Sequence, residues 1–177
     1  MTGPIPVIAP IPGDWWIGRT VVQYDAQWTW TAIAFDDGTV IVLSVDEVTV
    51  GHWFEVFPLK FDRSLPDYLA QHVFKWIALP VPLEIFRASA LWREEWQQPA
   101  QDHYQFMGAG PHAVQYAAPL QSAPLDVPAF QVEAGIALLG KDGSRLLVCS
   151  SDNTPFKIDF ATQPAAIEKI LRGHTLR

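Results

Sequence analysis

The chain holds one cysteine, Cys149, so it can form no internal disulfide, and its stability must come from a packed core. A lone thiol fits a reducing compartment. Charge is sparse as well. Asp, Glu, Lys and Arg make up 18% of the 177 residues, and no stretch carries five like charges. Twelve basic residues against nineteen acidic ones leave a net charge of −7. That balance argues against a nucleic-acid partner, because neutralising phosphates takes clustered Lys and Arg. No apolar run reaches the ~20 residues of a spanning helix. The apolar N-terminus carries Pro4, Pro6, Pro10 and Pro12 but no leading positive charge, so it does not read as a signal peptide. A soluble, cytoplasmic protein with no membrane partner is the expectation.

The usual signatures of chemistry are also missing. The histidines are His52, His72, His103, His112 and His174. No two of them have the i, i+4 spacing of a helical metal site, and there is no Cys-x-x-Cys. No nucleophile elbow, P-loop or dinucleotide-binding glycine motif occurs. Neither a metal nor a cofactor is expected. His103 and His112, with Asp102 nearby, form the closest polar constellation, and they read as surface loop residues.

What the chain has in abundance is apolar surface and repetition. Hydrophobic residues make up 49%, with eight tryptophans and fifteen prolines, a composition that folds into a globule. Two stretches echo each other. The first runs Val22-Gln23-Tyr24, Asp37-Gly38-Thr39, Pro58-Leu59-Lys60-Phe61-Asp62, Pro66. The second runs Val114-Gln115-Tyr116, Asp142-Gly143-Ser144, Pro155-Phe156-Lys157-Ile158-Asp159, Pro164. Four landmarks in the same order point to a tandem duplication.

Local patterning supplies the elements. Residues 18–24 and 28–35 are β-branched and aromatic and read as strands. Asp36, Asp37 and Gly38 between apolar runs read as a tight hairpin. The return strand, 39–45, is apolar on both faces and belongs in the middle of a sheet. Residues 53–61 form a fourth strand, and a helix is expected over 66–79. In the second copy, strands are expected at 114–117, 132–139, 144–149 and 155–160. A helix follows over 163–172, with Thr162 as its cap and Gly173 just past its end. Between the copies, residues 83–87 alternate like a strand and 88–98 could form a helix.

Each copy therefore reads β-β-β-β-α, which hides only one face of its sheet. Pairing the two bare faces buries both. The expected architecture is α+β and mainly antiparallel, with an internal pseudo-two-fold. One domain, 1–177, holds two repeats, 18–79 and 110–172. Around them lie a Pro-rich arm at 1–14 and a unique insert at 80–109.

That insert breaks the symmetry, and its aromatics Trp92, Trp96, Tyr104 and Phe106 are the expected binding residues, because Trp and Tyr carry disproportionate interface energy. The recurring Asp62 and Asp159 read first as turn residues. Cys149, in an apolar strand, reads as an inert hydrophobe. The favoured function is a non-enzymatic protein-interaction module: an adaptor, an inhibitor or an immunity-type binder. Its expected partner is another protein, and the Pro-rich arm would also allow a homodimer. The alternative is a small-molecule binder or hydrolase that uses a cleft between the halves, with Asp62, Asp159, His103 and His112.

Overall fold

A nineteen-residue strand, β7 (Ile77–Glu95), organises the sheet. It was located in a computed structural model that describes residues 6–7, 10–50, 54–95, 130–151 and 154–177. The first part of β7 pairs with β1 (Thr20–Ala26), and the rest pairs with β8 (Phe130–Gly140). Beyond β1 follow β2 (Trp30–Phe35), β3 (Val40–Val45) and β6 (Leu59–Asp62). Beyond β8 follow β9 (Arg145–Ser150) and β10 (Ile158–Ala161), and β11 (Thr175–Leu176) pairs with β7 at Trp92 and Leu91. A separate hairpin joins β4 (Val48–Val50) to β5 (Phe54–Val56). Every ladder among the described residues is antiparallel. The helical elements described are α1 (Gly13–Trp16), a 3₁₀ turn (Asp67–Leu69) and α2 (Pro164–Leu171). The fold is α+β, dominated by antiparallel sheet.

Two expected helices are absent. Residues 66–79 give only the 3₁₀ turn, an irregular stretch and the start of β7, and 88–95 continue as strand. The run His72, Val73, Phe74, Lys75, Trp76, Ile77 explains the first, since β-branched and aromatic side chains lose χ1 freedom against a helical turn. The second is held as strand by its ladder to β8. Pro80 and Pro82 lie inside β7. They are tolerated because the β1–β7 register jumps there, from Val21 opposite Leu83 to Gln23 opposite Ala78, so no ladder partner is lost.

The two wings of the sheet, β1-β2-β3-β6 and β7-β8-β9-β10, share several local features. In each, the first strand carries a bulge at the same place. Val21 faces Phe35 and Gln23 faces Ala34; Ile85 faces Gly140 and Arg87 faces Leu139. The hairpins match bond for bond. Phe35 N–H donates to Thr39 O at 2.9 Å, Gly38 N–H to Phe35 O at 3.0 Å and Thr39 N–H to Asp37 Oδ1 at 2.8 Å. Their counterparts are Gly140 to Ser144 O at 2.7 Å, Gly143 to Gly140 O at 3.1 Å and Ser144 to Asp142 Oδ1 at 3.0 Å. Gly38 and Gly143 sit at φ of 84° and 85°, where a Cβ is strained.

The third landmark is two residues out of step. Val42 faces Asp62, but its counterpart Leu147 faces Ala161 rather than Asp159. A shift of two preserves the face of the sheet. The first landmark, Val114, Gln115 and Tyr116, lies outside the described residues, and β7 pairs with β8.

The inner faces of both wings share one core. Ile33, Phe35, Ile41, Leu43, Leu59 and Phe61 meet Ile136, Leu138, Leu146, Val148 and Ile158. Val7 and Ile11 of the arm are buried in this core, and Trp16 of α1 packs against Phe35 and Phe61. Each outer face has a separate cover. Leu69 of the 3₁₀ turn, with Phe74 and Trp76, lies on Trp30, Ala32 and Val42. Ile167 of α2, with Ile170 and Leu171, lies on Leu147, Cys149 and Ala161.

Candidate functional site

On the outer face of the first wing the ladders align two rows of side chains. One row runs Asp25, Ala32, Val42, Asp62, and the next runs Trp30, Ser44, Lys60. Three strand spacings separate the two carboxylates, roughly 14 Å. Residues 67–76 cross this face as a strap.

Asp25 is 2% exposed and well held. Its Oδ1 accepts from Gln27 Nε2 at 2.6 Å, and its Oδ2 accepts from the Lys75 backbone N–H at 2.8 Å. His72 Nε2 stands 3.6 Å from Oδ2. The His72 ring meets Trp30 edge-on at 5.0 Å and Phe74 at 5.2 Å, and Phe74 stacks on Trp76 at 4.9 Å. A buried carboxylate with two N–H donors fixes the strap to the sheet.

Asp62, at the other end of the row, is less well served. Its Oδ2 is buried and has no hydrogen-bond partner among the described residues. Lys60 Nζ lies 3.9 Å from its other oxygen, whereas in the second wing Lys157 Nζ closes on Asp159 Oδ1 at 3.0 Å. Tyr68 of the strap stands beside it. Desolvation of the Tyr68 phenol pushes its pKa up, the Asp62 charge adds to this, and a hydrogen bond with Ser44 opposes it.

A second feature lies at the seam between the wings. Trp28, at the tip of the β1–β2 hairpin, is 63% exposed, and Phe156 is 44% exposed. The Trp28 backbone O accepts from Ile158 N–H of β10 at 2.9 Å, and Lys157 Nζ lies 5.0 Å from the Trp28 ring centre. Phe156 holds a left-handed φ of 60° and meets Phe57 edge-on at 5.1 Å. Such backbone costs a bulky residue of order 1–3 kcal/mol.

Of the four aromatics singled out from sequence, Trp92 is half-buried on β7, with the Arg177 guanidinium 4.9 Å from its ring centre. Trp96, Tyr104 and Phe106 lie outside the described residues, as do Asp102, His103 and His112. Asp62 and Asp159 point away from the shared core on opposite outer faces, so they do not line a common cleft. Their strand neighbours show this: Phe61 and Ile158 belong to the shared core, while Ala161 belongs to the cover of the second wing. Among the described residues no three His, Cys, Asp or Glu side chains could hold a metal, and no helix is long and apolar enough to cross a membrane. Trp28 and the Asp25–His72 pair were overlooked in the sequence. A tryptophan between two strand runs, close to a turn, was the available signal for the first. The second pairs residues 47 positions apart and left no local mark.

No family model, curated protein or solved structure matches the chain.

Proposed function

We propose that the chain is a non-enzymatic protein-interaction module, of the adaptor, inhibitor or immunity type, carried on two tandem copies of a four-stranded antiparallel unit, the second of which ends in a helix. Matched bulges, matched hairpins and a matched strand order support the duplication. Two contacts join counterpart residues to each other, as an internal two-fold axis requires. Thr20 pairs with Glu84, and Phe57 meets Phe156.

The observation that carries the functional reading is Trp28. A large aromatic stands 63% exposed on a hairpin tip whose backbone is pinned to the neighbouring wing. A rigid, exposed Trp is the cheapest anchor for a protein partner, because little freedom remains to be lost on binding. The shared core fills the space between the wings with apolar side chains, which favours a surface contact over a cleft.

A photo-crosslinking residue placed at position 28 should capture one partner in cells. With that partner purified, Trp28→Ala should weaken binding about 30-fold, the loss of a hot-spot residue. Binding unchanged by Trp28→Ala, or no saturable protein partner, would overturn the reading.

A further inference from the structure

We infer that Trp28 and Phe156, side by side at the seam, form an aromatic platform for an uncharged, proline-rich segment of a partner, bound in the extended polyproline II form. This rests on the protein-binding reading and names the chemistry of the partner.

The first observation is an aromatic side chain where the turn favours glycine. Lys157 N–H donates to Thr154 O at 3.2 Å, closing a turn with Pro155 second and Phe156 third. Pro followed by a left-handed residue is the type II pattern, and its third position suits Gly or Asn. Phe156 holds that position at φ 60°, and among the described residues no other non-glycine has a positive φ. Its ring meets Phe57 edge-on at 5.1 Å, yet the residue stays 44% exposed, so burial only partly offsets the strain. Phe57, opposite it across the seam, carries no such angle. Strained backbone under an exposed aromatic points to a ligand contact.

The second observation is an unused donor beside it. The bond from Ile158 N–H to Trp28 O at 2.9 Å sets Trp28 next to this turn. The Trp28 indole N–H has no hydrogen-bond partner among the described residues, although the backbone that carries the ring is pinned. A tryptophan so placed offers a flat apolar surface and one N–H.

The third is local charge. Lys157 Nζ stands 5.0 Å from the Trp28 ring centre and 3.0 Å from Asp159 Oδ1. The one cation between the two rings is thus already neutralised, and a charged segment finds no opposite charge to pair with. An added β-strand is disfavoured too, because it needs free edge groups and the Ile158 N–H is taken by Trp28. A polyproline II segment needs neither. It makes no internal hydrogen bonds, so its carbonyls are open to the indole N–H. Its pyrrolidine rings lie on aromatic faces, and its stiffness leaves little entropy to lose.

The test is a titration of the full chain with decaproline, followed by the indole and amide NMR signals. Shifts should concentrate at residues 28 and 154–158 and saturate with a Kd of about 1 mM or tighter. Trp28→Ala and Phe156→Gly should each weaken binding about tenfold. Glycine accepts the left-handed backbone, so Phe156→Gly should leave the denaturant midpoint at or above that of the parent. A glycine-serine decapeptide should not bind. A midpoint that falls with Phe156→Gly would mean the ring is kept for packing on Phe57, and would overturn the inference. So would a titration indifferent to both substitutions, or no saturation by about 10 mM. Binding of an amphipathic helical peptide at these residues, without decaproline binding, would assign the surface to a helical partner instead. All of these would leave Trp28-dependent partner binding standing. Failure to capture a partner in cells, with decaproline bound as stated, would sink that earlier reading and spare the platform.

Discussion

The two outer faces of this sheet share a ladder but not a chemistry. In the first wing the central row is Asp25, Ala32, Val42, Asp62; in the second the equivalent row is Ser89, Ala137, Leu147, Ala161. The next rows differ as sharply: Trp30, Ser44, Lys60 against Gly135, Cys149, Asp159. One face is closed by an amphipathic helix on a largely apolar floor, and the other by an irregular strap that brings His72 against a floor holding carboxylates. Backbone pairing is therefore indifferent to which cover it receives. The apolar face needs no explanation beyond burial. The polar one is costlier to build, because its buried carboxylate has to be met by hydrogen bonds from Gln27 and the strap.

The largest effect expected from breaking this comparison lies at Gly135, the counterpart of Trp30. A Cβ there would stand 2.3 Å from Val148 O and 2.4 Å from Cys149 Cβ. The nearest obstacle is backbone, so it cannot rotate aside. Gly135→Ala should cost about 3 kcal/mol or more, measured by denaturant unfolding. Gly140→Ala is the control, because its nearest contacts are the side-chain ends of Ser144 and Asp142. If both cost the same, the close approach of β8 to β9 is not what Gly135 provides.

Next come the covers. Ile167→Ala should cost about 3 kcal/mol, since it empties the buried anchor of α2. Leu69→Ala should cost less, about 2 kcal/mol, because Asp25 still holds the strap through the Lys75 N–H. Its clearer sign should be faster hydrogen exchange at that amide. Equal global losses with no local exchange signature would mean that the strap and the helix close their faces in the same way.

Much of this architecture was legible in the residues, and what was not has a physical reason. The Asp-Gly turns announced both hairpins, because few other residues tolerate the backbone they need. The strand expected over 28–35 is there, and the structure puts Trp30 and Ala32 on one face and Ile33 and Phe35 on the other, as the period of two requires. The helix over 66–79 failed because β-branched and aromatic residues crowd its second half, and its last residues, Ile77 and Ala78, pair with β1 instead. Of the candidate site, the aromatics of 92–106 were legible only as a composition, with Trp92 alone among the described residues. The Asp25–His72 contact depends on how the strap crosses the sheet, which no local pattern encodes.

The smallest and sharpest comparison is between the two hairpins themselves. Asp37 is held below its ordinary pKa by the Thr39 hydroxyl and N–H, with Arg19 adding attraction at 2.9 Å. Asp142 is held down by the Ser144 hydroxyl and N–H. In both cases the folded carboxyl binds its proton less readily than the unfolded one, whose pKa is near 3.8. The stabilisation is therefore present above pH of about 4 and is lost as pH falls further, through the folded value. Asp37→Asn and Asp142→Asn should each flatten the acid limb of a stability-against-pH curve, lowering stability at neutral pH and converging with the parent chain at low pH. Salt distinguishes them, because screening weakens the exposed Arg19 pair but hardly touches a hydrogen bond within a turn. Raising ionic strength should shrink the Asp37 contribution and spare that of Asp142. If salt moved both alike, the carboxylates would be responding to the net charge of the molecule rather than to their turns, and the hairpins would differ less than their neighbours suggest.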